Sequence, residues 1–298
     1  MINIVEKKKI FFIISIVLIV IGIASMIIQG FAMDIEFQGG INVTAALGQK
    51  FENNDIEALV KDAIGITPSS VQKSGENGED VVIKIMYQGK TKELASADRE
   101  KLTDALIEKY GIEADAISIS NVSATVGKEM LQKSFLLCLI TVILMLVYIT
   151  IRFELMSGVS AVVALIHDIL IMLSFYSLFQ IPVNSSFVAA ILTILGYSIN
   201  ASIMVFDRIR ERRRLATKKT VLNHLVNESI LSTMGRSINT TITTLLTVAL
   251  LCVFGSMMGI TSLVEFTLPI IIGVLAGFYS SVFIAGPFWA MCKGGKNK

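Results

Sequence analysis

Two adjacent titratable residues, His167 and Asp168, stand halfway along an apolar run of this 298-residue chain. The run, 159–179, has the length of a membrane-spanning helix. At 1.5 Å per residue the pair sits about 12–14 Å from one end. A charge at that depth costs at least about 2.5–3.5 kcal/mol on insertion scales, so a partner charge, water or protonation must compensate. Two chemistries fit. Asp168 is either a neutral carboxyl hydrogen-bonded to a neighbouring helix, or a protonatable group on a proton path, since a site that favours the neutral acid permits reversible proton binding.

A second polar set lies on the apolar stretch 185–206, where Thr193, Tyr197, Asn200 and Met204 recur at helical spacing and Gly196 allows close helix approach. A lipid-facing helix has no use for Tyr and Asn at depth; one that faces other helices or a wet path does. The stretch ends in Asp207 and Arg208, read as solvated interfacial charges or a local ion pair, and Arg210, Arg212, Arg213 and Arg214 follow. A third set, Arg236, Thr240, Thr243 and Thr247, shares one face of the next helix. Either Arg236 snorkels to the interface while the threonines bond back to their own helix, or this face meets the Tyr197/Asn200 face. Asn200 lies about 9 Å from its helix end, within reach of Arg236.

These sets need elements to hold them. The chain is 53% hydrophobic and only 17% charged, which fits a polytopic membrane protein. Its charge is segregated. Residues 34–133 carry 17 acidic and 11 basic side chains, a net of −6, and the remainder carries 7 and 15, a net of +8. Apolar runs at 10–28, 134–151, 159–179, 185–206, 236–254 and 263–291 predict six membrane helices. The first is longer than the apolar core of a signal peptide and reads as retained, although Gly30 and Ala32 leave room for cleavage. Every basic cluster (Lys7 to Lys9, Arg152, the run from Arg208, the C-terminal lysines) falls on one side, which places both termini and a basic loop at 208–235 in the cytoplasm.

Residues 34–133 then form an extracytoplasmic α+β domain between helices 1 and 2. Strand patterns at 34–46, around Val71, at 81–87 and at 116–122 alternate with helical ones at 52–64 and 93–110. The order βαββαβ is that of a ferredoxin-like sandwich. The division is 1–33 for the N-terminus and first helix, 34–133 for the domain, and 134–298 for helices two to six. Glu265 reads as interfacial. Gly39 and Gly40 lie inside the first strand and make no phosphate cradle, since no GxGxxG or GxxxxGK[ST] surrounds them. There is no CxxC, no HExxH and no Ser/His/Asp set, so neither enzyme chemistry nor a metal or cofactor is expected. The basic run lacks aromatic interleaving and reads as topology-setting and drawn to anionic membrane lipid, not to nucleic acid.

Five stretches carry a family resemblance: MDIEFQGG with Asp34, Phe37, Gly39 and Gly40; VGKEMLQKS at 126–134; ALIHDIL at 164–170; ILTILGYSINASIMVFDRIRE at 191–211; and GRSINTTITTLL at 235–246. They resemble the SecF family of protein-export membrane proteins, within the resistance–nodulation–division superfamily. The resemblance implies a heterodimer with SecD making a twelve-helix unit. It would work beside the SecYEG channel after the ATP-driven SecA motor, using the proton motive force to pull or hold an unfolded translocating polypeptide. It also implies proton-path roles for Asp168 and Arg236, with Asn200 as a polar wall. One position departs from the pattern: the family commonly has Asp where Ala201 stands, and alanine binds no proton. A SecD partner, whose motif has Asp at the position of Asn200, could supply that carboxylate. A proton-driven exporter of small molecules or lipids and a passive scaffold for the channel are the alternatives.

Overall fold

The computed structural model describes residues 3–75, 78–86, 96–217 and 220–294. The turn expected at 75–78, the strand end at Tyr87, the helix start at Glu93 and the last lysines fall wholly or partly outside these. After α1 (Lys8–Ile28) come α2 (Ile35–Gln38), β1 (Gly40–Ala46), α3 (Asn53–Ile64), β2 (Ser70–Ser74), β3 (Asp80–Met86), α4 (Ser96–Tyr110) and β4 (Ile117–Val122). Then follow α5 (Ala124–Arg152), α6 (Leu155–Leu178), α7 (Ser185–Leu215) and α8 (Leu222–Met258). A last span combines α9 (Thr261–Ser280), a π-helical turn (Ser281–Ala285) and α10 (Gly286–Gly294). Among the described residues six helices, α1, α5, α6, α7, α8 and the compound last span, are long and apolar enough to cross a membrane. The chain is a polytopic helical membrane protein.

The four strands form one antiparallel sheet in the order β2-β3-β1-β4, with Val43 opposite both Ile83 and Ile119. Alternation works as a strand requires. Val81, Ile83 and Ile85 enter a core with Ile56 and Val60 of α3 and Leu102 and Leu106 of α4. Gln72 of β2 and Lys84 of β3 are also buried, yet their side chains bond to residues outside that core, Glu265 and Asp34.

Two elements differ from the sequence pattern. The expected strand from 34 begins instead with the helical turn α2, because Asp34 caps it: its Oδ1 accepts the Glu36 N–H at 3.1 Å. Gly39, at φ +86°, then turns the chain into β1, and a Cβ there would lie 2.7 Å from the Ala124 nitrogen at the start of α5. The expected break before Arg236 is absent. α8 is one helix of 37 residues, about 56 Å long, which outruns a bilayer core of about 30 Å. A single Gly235 costs about 1 kcal/mol and cannot interrupt a helix held at both ends by packing.

In the membrane part α9 packs against α6, α7 and α8, and α6 also packs against α1 and α5. Gly273 and Gly277 let α9 approach α7 closely; a Cβ at Gly273 would lie 2.5 Å from Ile194. Most of α1 and α5 is exposed and apolar, as a lipid-facing surface is.

Candidate functional site

Asp168 lies inside this packing, 1% exposed. It is 13 residues past the start of α6, about 20 Å along the helix. Its Oδ2 accepts hydrogen bonds from Ser198 of α7 at 2.6 Å and Ser280 of α9 at 2.9 Å. Its Oδ1 is 3.1 Å from Nδ1 of His167. The His167 ring stacks on Tyr279 at 5.8 Å, and the Tyr279 hydroxyl donates to the Phe11 carbonyl of α1 at 2.9 Å. The carboxylate therefore ties together α6, α7 and α9, and through His167 reaches α1. Among the described residues no Lys or Arg forms an ion pair with it.

Neither Ser198 nor Ser280 stood out in the sequence, where each is one small residue in an apolar run. The available signal was spacing. Ser198 and Ser202 stand four apart on α7, and small hydroxyls at that spacing mark helix–helix contacts. The α-helix passes into the π-turn at Ser281, and Ser280 and Ser281 both face α7: Ser280 shares Asp168 with Ser198, and Ser281 lies 3.2 Å from Ser202.

The Tyr197/Asn200 face points elsewhere. The Tyr197 hydroxyl donates to Thr241 of α8 at 3.3 Å. Tyr197, Asn200 and Ala201 line a crevice with Ser237, Thr241 and Ser281 that has room for about one water molecule. Arg236 does not line it. Ser237 and Thr241 occupy the inner side of α8, and Arg236, one position before Ser237, is exposed. Asn200 and Arg236 share no hydrogen bond among the described residues, and Ser237 and Thr241, not Arg236, meet the α7 face in the crevice. Thr243 and Thr247 bond back to carbonyls of their own helix, as one of the two readings held.

Asp34, Phe37, Gly39 and Gly40 build a junction. Lys84 donates to Asp34 Oδ2 at 2.8 Å in a buried ion pair. Glu36 accepts the Ser185 N–H at the start of α7 at 2.8 Å, and Phe37 enters the membrane core. Nearby, Glu265 of α9 accepts from Gln72 of β2 at 2.7 Å and from Asn184, the cap of α7, at 2.6 Å. Glu265 is thus a link between the sheet and two membrane helices, more than an interfacial charge.

At the opposite end Asp207 is exposed and Arg208 pairs with Glu211, not with Asp207. Glu154, between α5 and α6, accepts from Trp289 and Lys293, each at 2.9 Å, and lies 3.6 Å from Arg213. Burial pushes its carboxyl up, but the Lys293 and Trp289 hydrogen bonds and the Lys293 and Arg213 charges outweigh this and hold it below the ordinary value.

Residues 102–295 match the family described as protein export membrane protein SecD/SecF, C-terminal. The chain is 34% identical over 288 residues to the protein translocase subunit SecF of Acidaminococcus fermentans, covering 96% of each. It is 33% identical over 295 residues to the protein translocase subunit SecDF of Bacillus subtilis, covering 98% of this chain and 38% of that one. The crystal structure of the translocon-associated SecDF from Thermus thermophilus superposes with a TM-score of 0.78 at 26% identity, over 100% of this chain and 39% of that one. The chain therefore spans well under half the length of these two SecDF relatives.

Proposed function

The chain belongs to the SecD/SecF family of protein export membrane proteins, as a SecF-like translocase subunit, and we propose that it works as one half of a heterodimer with a SecD-like chain. Two of its relatives carry both names in one protein, of which this chain matches 38% and 39%, and that supports the pairing. The unit assists late stages of protein export through the SecYEG channel after SecA, handling an unfolded polypeptide and drawing on the proton motive force. No enzymatic step is assigned to it. The small-molecule exporter reading is not favoured by relatives named as translocase subunits.

In this reading the chain crosses the bacterial cytoplasmic membrane six times with both termini in the cytoplasm. The clustering of lysines and arginines at one end supports this orientation. Residues 34–133 lie outside, and their βαββαβ order with a 2-3-1-4 antiparallel sheet supports a ferredoxin-like sandwich. The exposed Asn200 and Arg236, with Tyr197 and the crevice at Ala201, face the partner, whose carboxylate supplies the proton site that Ala201 lacks.

One observation carries the mechanism. The hydroxyls that grip Asp168 come from α7 and α9, the two helices whose far ends meet at Asn184 and Glu265 and there hold the sheet through Gln72. An ionised carboxylate accepts only; a protonated one must also donate. Proton uptake at Asp168 therefore needs an acceptor for the new proton, His167 Nδ1 or one of the two serine oxygens, and this rearrangement of the cluster shifts α7 against α9 and loosens or tightens the junction that holds the external domain. The test is export into proteoliposomes containing the chain, a SecD-like partner, the channel and the motor, with and without an imposed proton gradient. Asp168→Asn keeps the shape and removes the proton site, so gradient-stimulated export falls to the unstimulated level. Full stimulation in that variant would remove Asp168 from the mechanism.

A further inference from the structure

Six arginines gather at the basic end of the membrane part: Arg152 closes α5, and Arg208, Arg210, Arg212, Arg213 and Arg214 lie on the last turns of α7. Three have carboxylate partners. Arg208 pairs with Glu211, Arg212 with Glu228 and Arg213 with Glu154. Among the described residues, Arg152, Arg210 and Arg214 pair with no carboxylate. These three line one cavity of about 350 Å³, together with Asp207 and Glu211. Arg210 and Arg214 stand four apart on α7 and so share a face. Arg210 is held by a hydrogen bond to the Arg152 carbonyl at 3.1 Å, and the guanidiniums of Arg152 and Arg210 lie 5.2 and 5.8 Å from the Phe153 ring centroid. The shared ring and the carbonyl bond keep two like charges together where simple repulsion would part them.

Arg152, one of the lining residues, closes α5, and the turns of α5 before it carry an exposed apolar side. Leu144, Val147, Tyr148 and Ile151 are all exposed, and Ile151, next to Arg152, is 81% exposed. The arrangement is amphiphilic: an apolar wall of membrane-spanning length ends in a cationic pocket. The five lining side chains carry three positive and two negative formal charges, a net of +1. A phosphodiester carries a single negative charge and offers planar guanidinium groups the oxygens they fork onto.

We propose that this cavity binds the headgroup of an anionic phospholipid, its phosphate among Arg152, Arg210 and Arg214 and its acyl chains along α5. Basic pockets between membrane helices hold lipid headgroups in this way. The site is separate from Asp168 and does not rest on the export reading. Its occupant holds the ends of α5 and α7 together at the point where three arginines would otherwise repel.

The experiment uses the full chain in detergent, delipidated and titrated with phosphatidylglycerol or phosphatidylcholine, with bound lipid counted by native mass spectrometry. Phosphatidylglycerol remains bound and phosphatidylcholine does not. The variant Arg152→Gln/Arg210→Gln/Arg214→Gln loses phosphatidylglycerol affinity on the order of a hundred-fold, from about 1 kcal/mol per arginine. The variant Arg212→Gln/Arg213→Gln, which removes two arginines paired with carboxylates outside the cavity, keeps it. If the triple variant does not fold, Arg152→Gln alone, at an exposed helix end, loses affinity about five-fold. Equal loss in both multiple variants would reduce the effect to general basic attraction and overturn the site. Displacement of the lipid by inorganic phosphate at equal concentration would make it a free-anion site and overturn the lipid assignment. So would a complex with a SecD-like chain whose acidic loop fills the cavity and excludes lipid.

Discussion

Two polar regions lie within the membrane part, and they are solved in opposite ways. Around Asp168 every strong group finds a partner in the same chain: two serine hydroxyls and an imidazole surround one carboxylate. Around Asn200 and Arg236 the polar groups turn outward, and among the described residues Tyr197 to Thr241 is the one side-chain bond that joins the two faces. Asn200, Arg236, Thr243 and Thr247 are exposed. Hydrocarbon is a poor neighbour for an amide and a guanidinium. A closed cluster holds its own chain together, whereas an open one is suited to holding a second chain. On the proposed reading the first region holds its own chain together as well as responding to protons, and the second meets the partner.

The strongest way to break this contrast is Asp168→Ala. It leaves the hydroxyls of Ser198 and Ser280 without their acceptor in a dry interface. The lone chain should lose about 2–3 kcal/mol, read as a fall in the midpoint of unfolding in mixed micelles. Asp168→Asn, which still offers an oxygen, should lose about 1 kcal/mol or less. If alanine costs no more than asparagine, the cluster is not what holds α6, α7 and α9.

The open face should behave in reverse. Asn200→Leu and Arg236→Leu remove exposed groups that, among the described residues, no carboxylate compensates. Each should leave the unfolding midpoint of the lone chain within about 0.5 kcal/mol. Co-purification of a SecD-like partner should fall about ten-fold for the double variant. Undiminished recovery of the partner would place the assembly surface elsewhere.

Glu265 sharpens the contrast, because it sits at the far end of the helices that grip Asp168. Glu265→Ala strips the acceptor from the amides of Gln72 and Asn184. Local opening of the sheet from α9 should become easier by about 1–2 kcal/mol. Hydrogen exchange reads this as loss of protection at 70–74, with the midpoint of global unfolding little changed. The same loss in Asp168→Asn, without any change at Glu265, is what coupling along α7 and α9 requires.

Much of this was legible in the sequence. The six spans follow from apolar length and β3 from its alternation, while β2 shows only as a weak pattern around Val71. Asp168 announced itself by its cost at depth. What could not be read was rotation. Which side of α8 faces α7 is set by packing, so Arg236 and Ser237, neighbours in sequence, end on different faces. Ser198 and Ser280 are silent for the same reason: a serine in an apolar run is unremarkable until Gly273 and Gly277 bring the helices close enough for its hydroxyl to matter. The motif from Asp34 misled because its alternation fits a strand, while the Asp34 cap makes a helical turn cheaper.

The smallest effect comes from a third polar region, closed like that at Asp168 but made of full charges at the membrane edge. Glu154 is held below its ordinary value by Lys293, Trp289 and Arg213, against the opposing push of burial. A carboxylate depressed on folding contributes stability that is present above its unfolded value, near 4.5, and lost as pH falls through the lower folded value. The chain has a single tryptophan, and its indole N–H is bonded to Glu154, so its fluorescence reports this one site. A titration of the detergent-solubilised chain should show a change centred below pH 4.5, absent in Glu154→Gln. The variant should cost about 0.5–1 kcal/mol, because charges at an edge are screened where the hydroxyls around Asp168 are not. A transition centred above 4.5 would mean that burial wins over the three partners, and the edge cluster would then resemble the dry interior more than the surface.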